Sequence, residues 1–161
     1  HAAPTGCCAT VGPGVFDDFI TAAGATNIGR EVVPGVMGNM GLENVLAADP
    51  DVYLATGGAH MAARGGLVLG AGVEAGAAQA SFDALTATPG LAGLRAVTEG
   101  RAMGLWHLFN DSPIHIVAIE ALAKQLHPEL FADLDPRATL AEIEARFSPV
   151  PMPGTYWIPQ Q

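Results

Sequence analysis

The sequence predicts an α/β fold: a three-layer α/β/α sandwich with a mostly parallel central sheet, Rossmann-like in plan. Three observations carry this. Short apolar runs of strand type alternate with segments of helical spacing, the pattern of a parallel sheet between helices. The segment Ile114 to Leu126 is apolar on nearly every face, as in a helix buried on more than one side. Between the strand-like run Ala102 to Leu105 and that helix lies an aromatic and polar loop, Trp106-His107-Leu-Phe109-Asn110-Asp111. A strand that ends in such a loop and feeds a helix is where α/β proteins place ligands.

The elements follow in order. Phe16, Phe19, Ile20 and Ala23 recur at helical spacing, with Gly24 as the stop. A short extended piece is expected around Asn27-Ile28, then a Gly/Pro-rich stretch from Pro34 to Gly41. Leu42, Val45 and Leu46 mark a second short helix closed by Asp49-Pro50. Val52 to Thr56 reads as a buried strand ended by Gly57-Gly58. A Gly-rich segment runs from Ala59 to Gly76, and Ala77 to Leu85 reads as a surface helix. Ser112 is expected to cap the long apolar helix, with Pro113 in its first turn and Lys124 and His127 near its carboxyl end. The last helix is expected to open with the capping box Thr139-Leu-Ala-Glu142 and to run to about Phe147. The tail from Pro149, carrying Tyr156 and Trp157, is expected to fold back on the body.

Composition narrows the function. A chain of 161 residues, half of them hydrophobic and only 14% charged, buries a core as one domain, residues 1–161. The formal charge of -9 argues against nucleic acid, which demands a basic stripe, and against anionic membrane surfaces. No apolar run approaches the roughly 18 residues of a membrane span. His1-Ala-Ala-Pro-Thr-Gly reads as the interior of a longer protein rather than as a signal peptide.

Several motifs fail. Gly70-Ala-Gly72-Val-Glu-Ala-Gly76 has its third glycine one residue late for a dinucleotide fingerprint and lacks an acidic partner beyond it. There is no phosphate-binding loop and no nucleophile elbow. Cys7 and Cys8 are adjacent, which leaves open a pair of small buried thiols, a strained disulfide between neighbours, or a ligand-facing thiol pair. No spacing suits zinc. Among the histidines, His60 and His107 each follow a strand end, with Arg64 four residues beyond His60. His115 reads as a helix histidine and His127 as a helix-end cation.

Three segments together bring a family into view. Residues 41–58 contain Glu43-Asn-Val45-Leu46 followed by Pro50-Asp51-Val52. Residues 105–113 run from Leu105-Trp106-His107 to Ser112-Pro113. Residues 118–133 contain Lys124-Gln-Leu126-His127-Pro128, continue to Phe147 and stand beside Gly154-Thr-Tyr156-Trp157. In these the chain resembles the C-terminal lobe of the substrate-binding proteins of ABC importers for iron-siderophores, haem and cobalamin, whose two lobes are joined by one long helix. The resemblance implies that an N-terminal lobe and the linking helix precede His1. It implies a protein that is not an enzyme, that sits in the periplasm or elsewhere outside the cytoplasm, and that partners the importer's permease. No intrinsic cofactor is implied; a ferric siderophore or haem is the transported ligand. Trp106 and Phe109 are then expected to stack on the ligand and Arg64 to pair with its anionic oxygens. His60 or His107 is expected to donate hydrogen bonds or ligate iron, while Asn110 and Asp111 serve as turn and cap residues. Glu43 matches the family's permease-docking glutamate. An isolated lobe with its cleft face uncovered is open to self-association. Two readings compete: a small cysteine-dependent hydrolase using Cys7 or Cys8 with His60 or His107, and a non-catalytic protein-interaction domain.

Overall fold

The computed structural model describes residues 8–159. Strand β1 (Ala9–Val11) leads through Gly12-Pro13-Gly14 into helix α1 (Val15–Ala22). Asp17 and Asp18 lie in the first turn of α1, where the helix dipole favours acids. Asp17 is buried and clasped by Arg30, whose Nη2 and Nε lie 2.7 and 3.2 Å from its two carboxylate oxygens. Gly24 closes the helix at φ +83°.

The expected extended piece at Asn27-Ile28 is a turn instead. The Asn27 side chain accepts from the Gly29 amide at 2.9 Å and donates to the Val11 carbonyl at 3.0 Å, so a local Asx turn wins over a strand. The Gly/Pro-rich stretch in turn contains a strand, β2 (Met37–Asn39), paired antiparallel with β1 so that Val11 faces Met37. Helix α2 (Leu42–Ala48) ends at Asp49, held in the left-handed region at φ 39°. Arg95 reaches back to Asp49 and Asp51 at 2.9 and 3.1 Å and braces this corner.

Strand β3 (Tyr53–Gly57) is followed by a 3-10 turn, Ala59–Arg64, then β4 (Gly70–Ala71) and helix α3 (Ala75–Thr86). A short α4 (Arg95–Thr98) precedes β5 (Ala102–Trp106), a second 3-10 turn at His107–Asp111, and helix α5 (Ile116–Leu126). Helix α6 (Pro136–Phe147) and strands β6 (Gly154–Thr155) and β7 (Trp157–Ile158) complete the described chain. Two cap expectations shift. His115, not Ser112, is the cap residue of α5. Helix α6 begins at Pro136, with the Asp135 side chain accepting from the Arg137 amide at 3.0 Å, so Thr139 lies inside the helix. Proline at the first position of a helix behind an aspartate cap is the stronger start signal.

The α/β class holds, with a central sheet that is only partly parallel. Among the described residues its order is β3-β5-β7: β3 and β5 run parallel, whereas β7 runs antiparallel to β5. The tail first pairs with β4, Thr155 opposite Gly70, and reaches β5 already running against it. This arrangement needs no crossover helix, unlike a further parallel strand.

The period of two along each strand divides the core in half. Tyr53, Ala55 and Ala102 point to one face, where Leu67, Leu69, Ala78, Phe82 and Leu85 cover them. Met103 and Leu105 point to the other, against Phe19 of α1 and Val117, Ala118, Ala121 and Leu122 of α5. Trp157 and Ile158 split between the faces in the same way. Lys124 donates from Nζ to the carbonyls of Leu134 and Ala132, tying the chain beyond α5 to that helix.

Met103 is fully buried in the middle strand. Met103→Ala is expected to cost about 2–5 kcal/mol in urea unfolding. Leu130→Ala, at a position 76% exposed, is expected to stay within about 0.5 kcal/mol.

Candidate functional site

The β3–β5 register pairs Gly57 with Trp106 as the last rung, so the two strands end abreast and the two 3-10 turns emerge side by side. This is the carboxyl end of the parallel pair, the side on which open α/β sheets bind ligands. The imidazoles of His60 and His107 meet there with ring centroids 4.8 Å apart and planes tilted by 40°. Gly58 makes the approach possible. A Cβ at that position would lie 2.8 Å from His107 Nε2 and 3.1 Å from His60 Nδ1.

The two turns form one wall of an open cavity of about 910 Å³, at the upper end of the size of small-molecule sites. Its lining brings together His60, Arg64 and His107 with Thr56, Asn110 and Asp111. The opposite wall comes from the β1–α1 turn and from the approach to β2, and it is apolar. Val36 and Met37 are 64% and 67% exposed there, and Val15 and Leu108 add to the rim. Arg64 is exposed and, among the described residues, is the one arginine with neither an ion-pair partner nor an aromatic face. Its guanidinium is free for an anionic ligand.

Burial lowers the His107 pKa, and the neighbouring His60 charge lowers it further; Asp111 opposes both. At neutral pH the His107 ring is therefore an uncharged imidazole with one nitrogen lone pair available.

The aromatic half of the sequence expectation is corrected. Phe109 is fully buried and Trp106 half-buried, and neither lines the cavity. Trp106 meets Phe109 and Tyr156 edge-on, each at 5.2 Å between centroids, and its indole covers Gly70. The 3-10 turn is the reason. At three residues per turn, positions 106 and 109 share one row, while the rows 107/110 and 108/111 line the cavity. Both aromatics go into the core while His107 and Asn110 face the cavity. The same spacing of three, applied to the sequence, singles out Asn110, which the linear reading assigns to a turn. Met37 and Val36 also escape a linear reading. An exposed apolar pair in a Gly-rich loop carries no periodic signal, although exposure of both is the clue once the fold is known.

The remaining candidates lie elsewhere. Glu43 is exposed in the first turn of α2, away from the cavity, with its carboxylate folded over Gly41 at the helix start. Cys8 is buried and disulfide-bonded, so it offers no free thiol; Cys7 and His1 lie outside the described residues. His115 holds the Ser112 carbonyl through Nδ1 at 3.1 Å and stacks on Phe19. His127 caps the end of α5. Among the described residues there is no cluster of three or more metal-ligating side chains, and no helix is long and apolar enough to cross a membrane.

No family model matches the chain, and no curated protein matches it. Among solved structures it is similar to a TroA-like periplasmic binding protein, FepB, from Veillonella parvula. The TM-score is 0.89 with 25% sequence identity, over 99% of this chain and 46% of that protein. The chain thus spans less than half the length of that relative. The likeness is to a periplasmic binding protein, and Cys8, being disulfide-bonded, offers no thiol nucleophile.

The unfolded chain carries His107 near the usual 6.5, above its folded value. Between those two values the unfolded state binds more protons, so stability is full above pH 6.5 and is lost as pH falls through the folded pKa. NMR titration is expected to place the His107 midpoint below 6.5. In His60→Gln it is expected to rise while staying below 6.5, because burial remains.

Proposed function

We propose that this chain is the C-terminal lobe of a two-lobed solute-binding protein of an ABC importer, and that its cavity is one wall of the ligand crevice. The ligand is an iron chelate, a ferric siderophore or haem, captured in the periplasm or elsewhere outside the cytoplasm and handed to the permease. The observation that carries this reading is the convergence of His60, Arg64 and His107 on one open cavity at the carboxyl ends of β3 and β5. A cation and two nitrogen-bearing rings on one side, facing an apolar rim on the other, suit a ligand with acidic oxygens and an apolar body.

The likeness to the TroA-like periplasmic binding protein supports the class. The exposed Val36, Met37 and Leu108 are then the surface that a facing lobe covers when the crevice closes. In the isolated lobe they favour self-association. Glu43, exposed and separate from the cavity, is the docking residue for the permease. A charge at such a rim sets association rate and register rather than ligand affinity.

Two experiments test this. Arg64→Ala is expected to weaken binding of haemin or a ferric catecholate about tenfold, the loss of one charge-assisted contact. The measurement is absorbance titration, and unchanged affinity for every chelate tried removes Arg64 from the site. Glu43→Ala, in the protein that carries both lobes, is expected to leave chelate affinity intact and to reduce uptake into cells; undiminished uptake excludes Glu43 from the docking surface.

A further inference from the structure

The ion pair of Asp17 and Arg30 lies behind the apolar wall of the cavity rather than in it. We infer that this pair is a positioning device: it fixes where the tip of the β1–β2 ribbon stands, and so sets the width of the cavity for the apolar part of a ligand. The inference rests on the reading of the cavity as a ligand site.

The central sheet does not hold the ribbon. Among the described residues β1 and β2 pair only with each other, and no ladder joins them to β3, β5 or β7. The base of the ribbon is anchored in the core, where Cys8 and Met40 are both buried and exchange backbone hydrogen bonds of 3.2 and 3.0 Å. The tip lacks such backing. Ala9, Val11 and Met37 line the ligand cavity and also a second one, of about 610 Å³, that reaches Leu122 and His127 at the end of α5. A segment bordered by two cavities has few packing contacts to fix it, so its place depends on tethers.

Arg30 is the tether between the α1–β2 connection and α1. It reaches back across one turn of the helix. Nη2 and Nε meet the two Asp17 carboxylate oxygens at 2.7 and 3.2 Å, and Nη2 also donates to Thr21 Oγ1 at 2.8 Å. Further along the same connection Val33 is buried against both strands: a Cβ on Gly12 or Gly38 would lie 3.0 or 2.8 Å from its side chain. The Gly12 amide then donates to the Val36 carbonyl at 3.1 Å, and the Val36 side chain covers Gly14. The clasp is thus passed from α1 through Val33 to Val36 and Met37, the exposed rim of the cavity. Asn27 secures the other strand at the Val11 carbonyl.

The chemistry of the pair suits position more than stability. Among the described residues Asp17 is the one charged residue that is buried. A carboxylate taken out of water gains little, even when paired, over an apolar contact of like volume. A forked guanidinium–carboxylate pair, by contrast, fixes both distance and angle. An apolar contact at the same place would pack as well and be free to slide.

The test replaces the pair by apolar side chains, Asp17→Leu with Arg30→Met, beside the single variant Arg30→Gln and the remote control Arg146→Gln. Urea unfolding is expected to show that the apolar pair regains most of the stability lost in Arg30→Gln. Absorbance titration is expected to show haemin binding weakened about tenfold in both, and binding of ferric nitrilotriacetate, which has no apolar body, changed by less than about twofold. NMR relaxation dispersion is expected to appear at the Gly12 and Met37 amides and not at Leu122. Arg146→Gln is expected to alter none of these. Should the apolar pair fail to fold, Arg30→Lys, which keeps the charge and loses the fork, carries the same expectations. If the apolar pair binds haemin as the unaltered chain does and its tip amides stay free of dispersion, the ion pair is structural only: the inference falls and the binding lobe stands. If neither chelate binds the unaltered chain, the reading of the cavity falls, and dispersion at the tip alone decides whether the pair positions the ribbon.

Discussion

Everything at the candidate site depends on one constraint, the in-register parallel pairing of β3 with β5. A parallel pair releases both chains at the same end of the sheet, and a last rung of Gly57 with Trp106 releases them at the same height. The residues that follow, 58–64 and 107–111, then have nowhere to go but against each other. That places His60 beside His107 although 46 residues separate them in the chain. Slipping the register by one residue would send every side chain of β5 to the opposite face. Met103 and Leu105 would exchange sides with Gly104, and the two-sided core would be lost with the site.

Glycine enforces the close approaches that this pairing needs. A Cβ on Gly57 would lie 2.1 Å from the Leu67 carbonyl oxygen, so a side chain there would push the returning segment off the sheet. That segment carries Leu67 and Leu69, both fully buried, and with them one of the two hydrophobic layers. Gly58 performs the corresponding service for the imidazoles. The cavity is therefore shaped as much by absent side chains as by present ones. Behind it lie packed layers, Phe109, Trp106 and Tyr156 on one side and Leu67 and Leu69 on the other.

The cavity also gathers side chains that are scattered singly elsewhere on the surface. In a chain of formal charge -9, an arginine and two histidines share one opening. The other arginines are spent on acids or rings: Arg30 on Asp17, Arg95 on Asp49 and Asp51, Arg101 on Glu99, Arg146 on Glu142, and Arg137 over Trp157. Those between exposed partners add little stability, but together these contacts leave Arg64 as the arginine free to meet a ligand. Burial at the same opening keeps His107 uncharged at neutral pH, so the cavity offers a fixed positive charge and a neutral nitrogen donor at once.

Local signals in the sequence were sufficient for the α/β class, for helices over Phe16–Ala23 and Ile114–Leu126, for the strands at 52–56 and 102–105, and for His60, Arg64 and His107 as candidates. Each rests on periodicity, caps or position after a strand end, which neighbours in the chain determine. The direction of β7 and the strand at Met37 were not legible, because they depend on strand partners distant in the chain. The same is true of the aromatic pair. Trp106 and Phe109 look like ligand-stacking residues in a linear reading. The three-residue period of the turn, and the space between α5 and Tyr156, send them inward. Composition and local pattern determine which residues are apolar, charged or able to cap. Which of them meet, and which face water, is decided by pairing and packing across the fold, since burial is a property of the assembled layers and of no single segment.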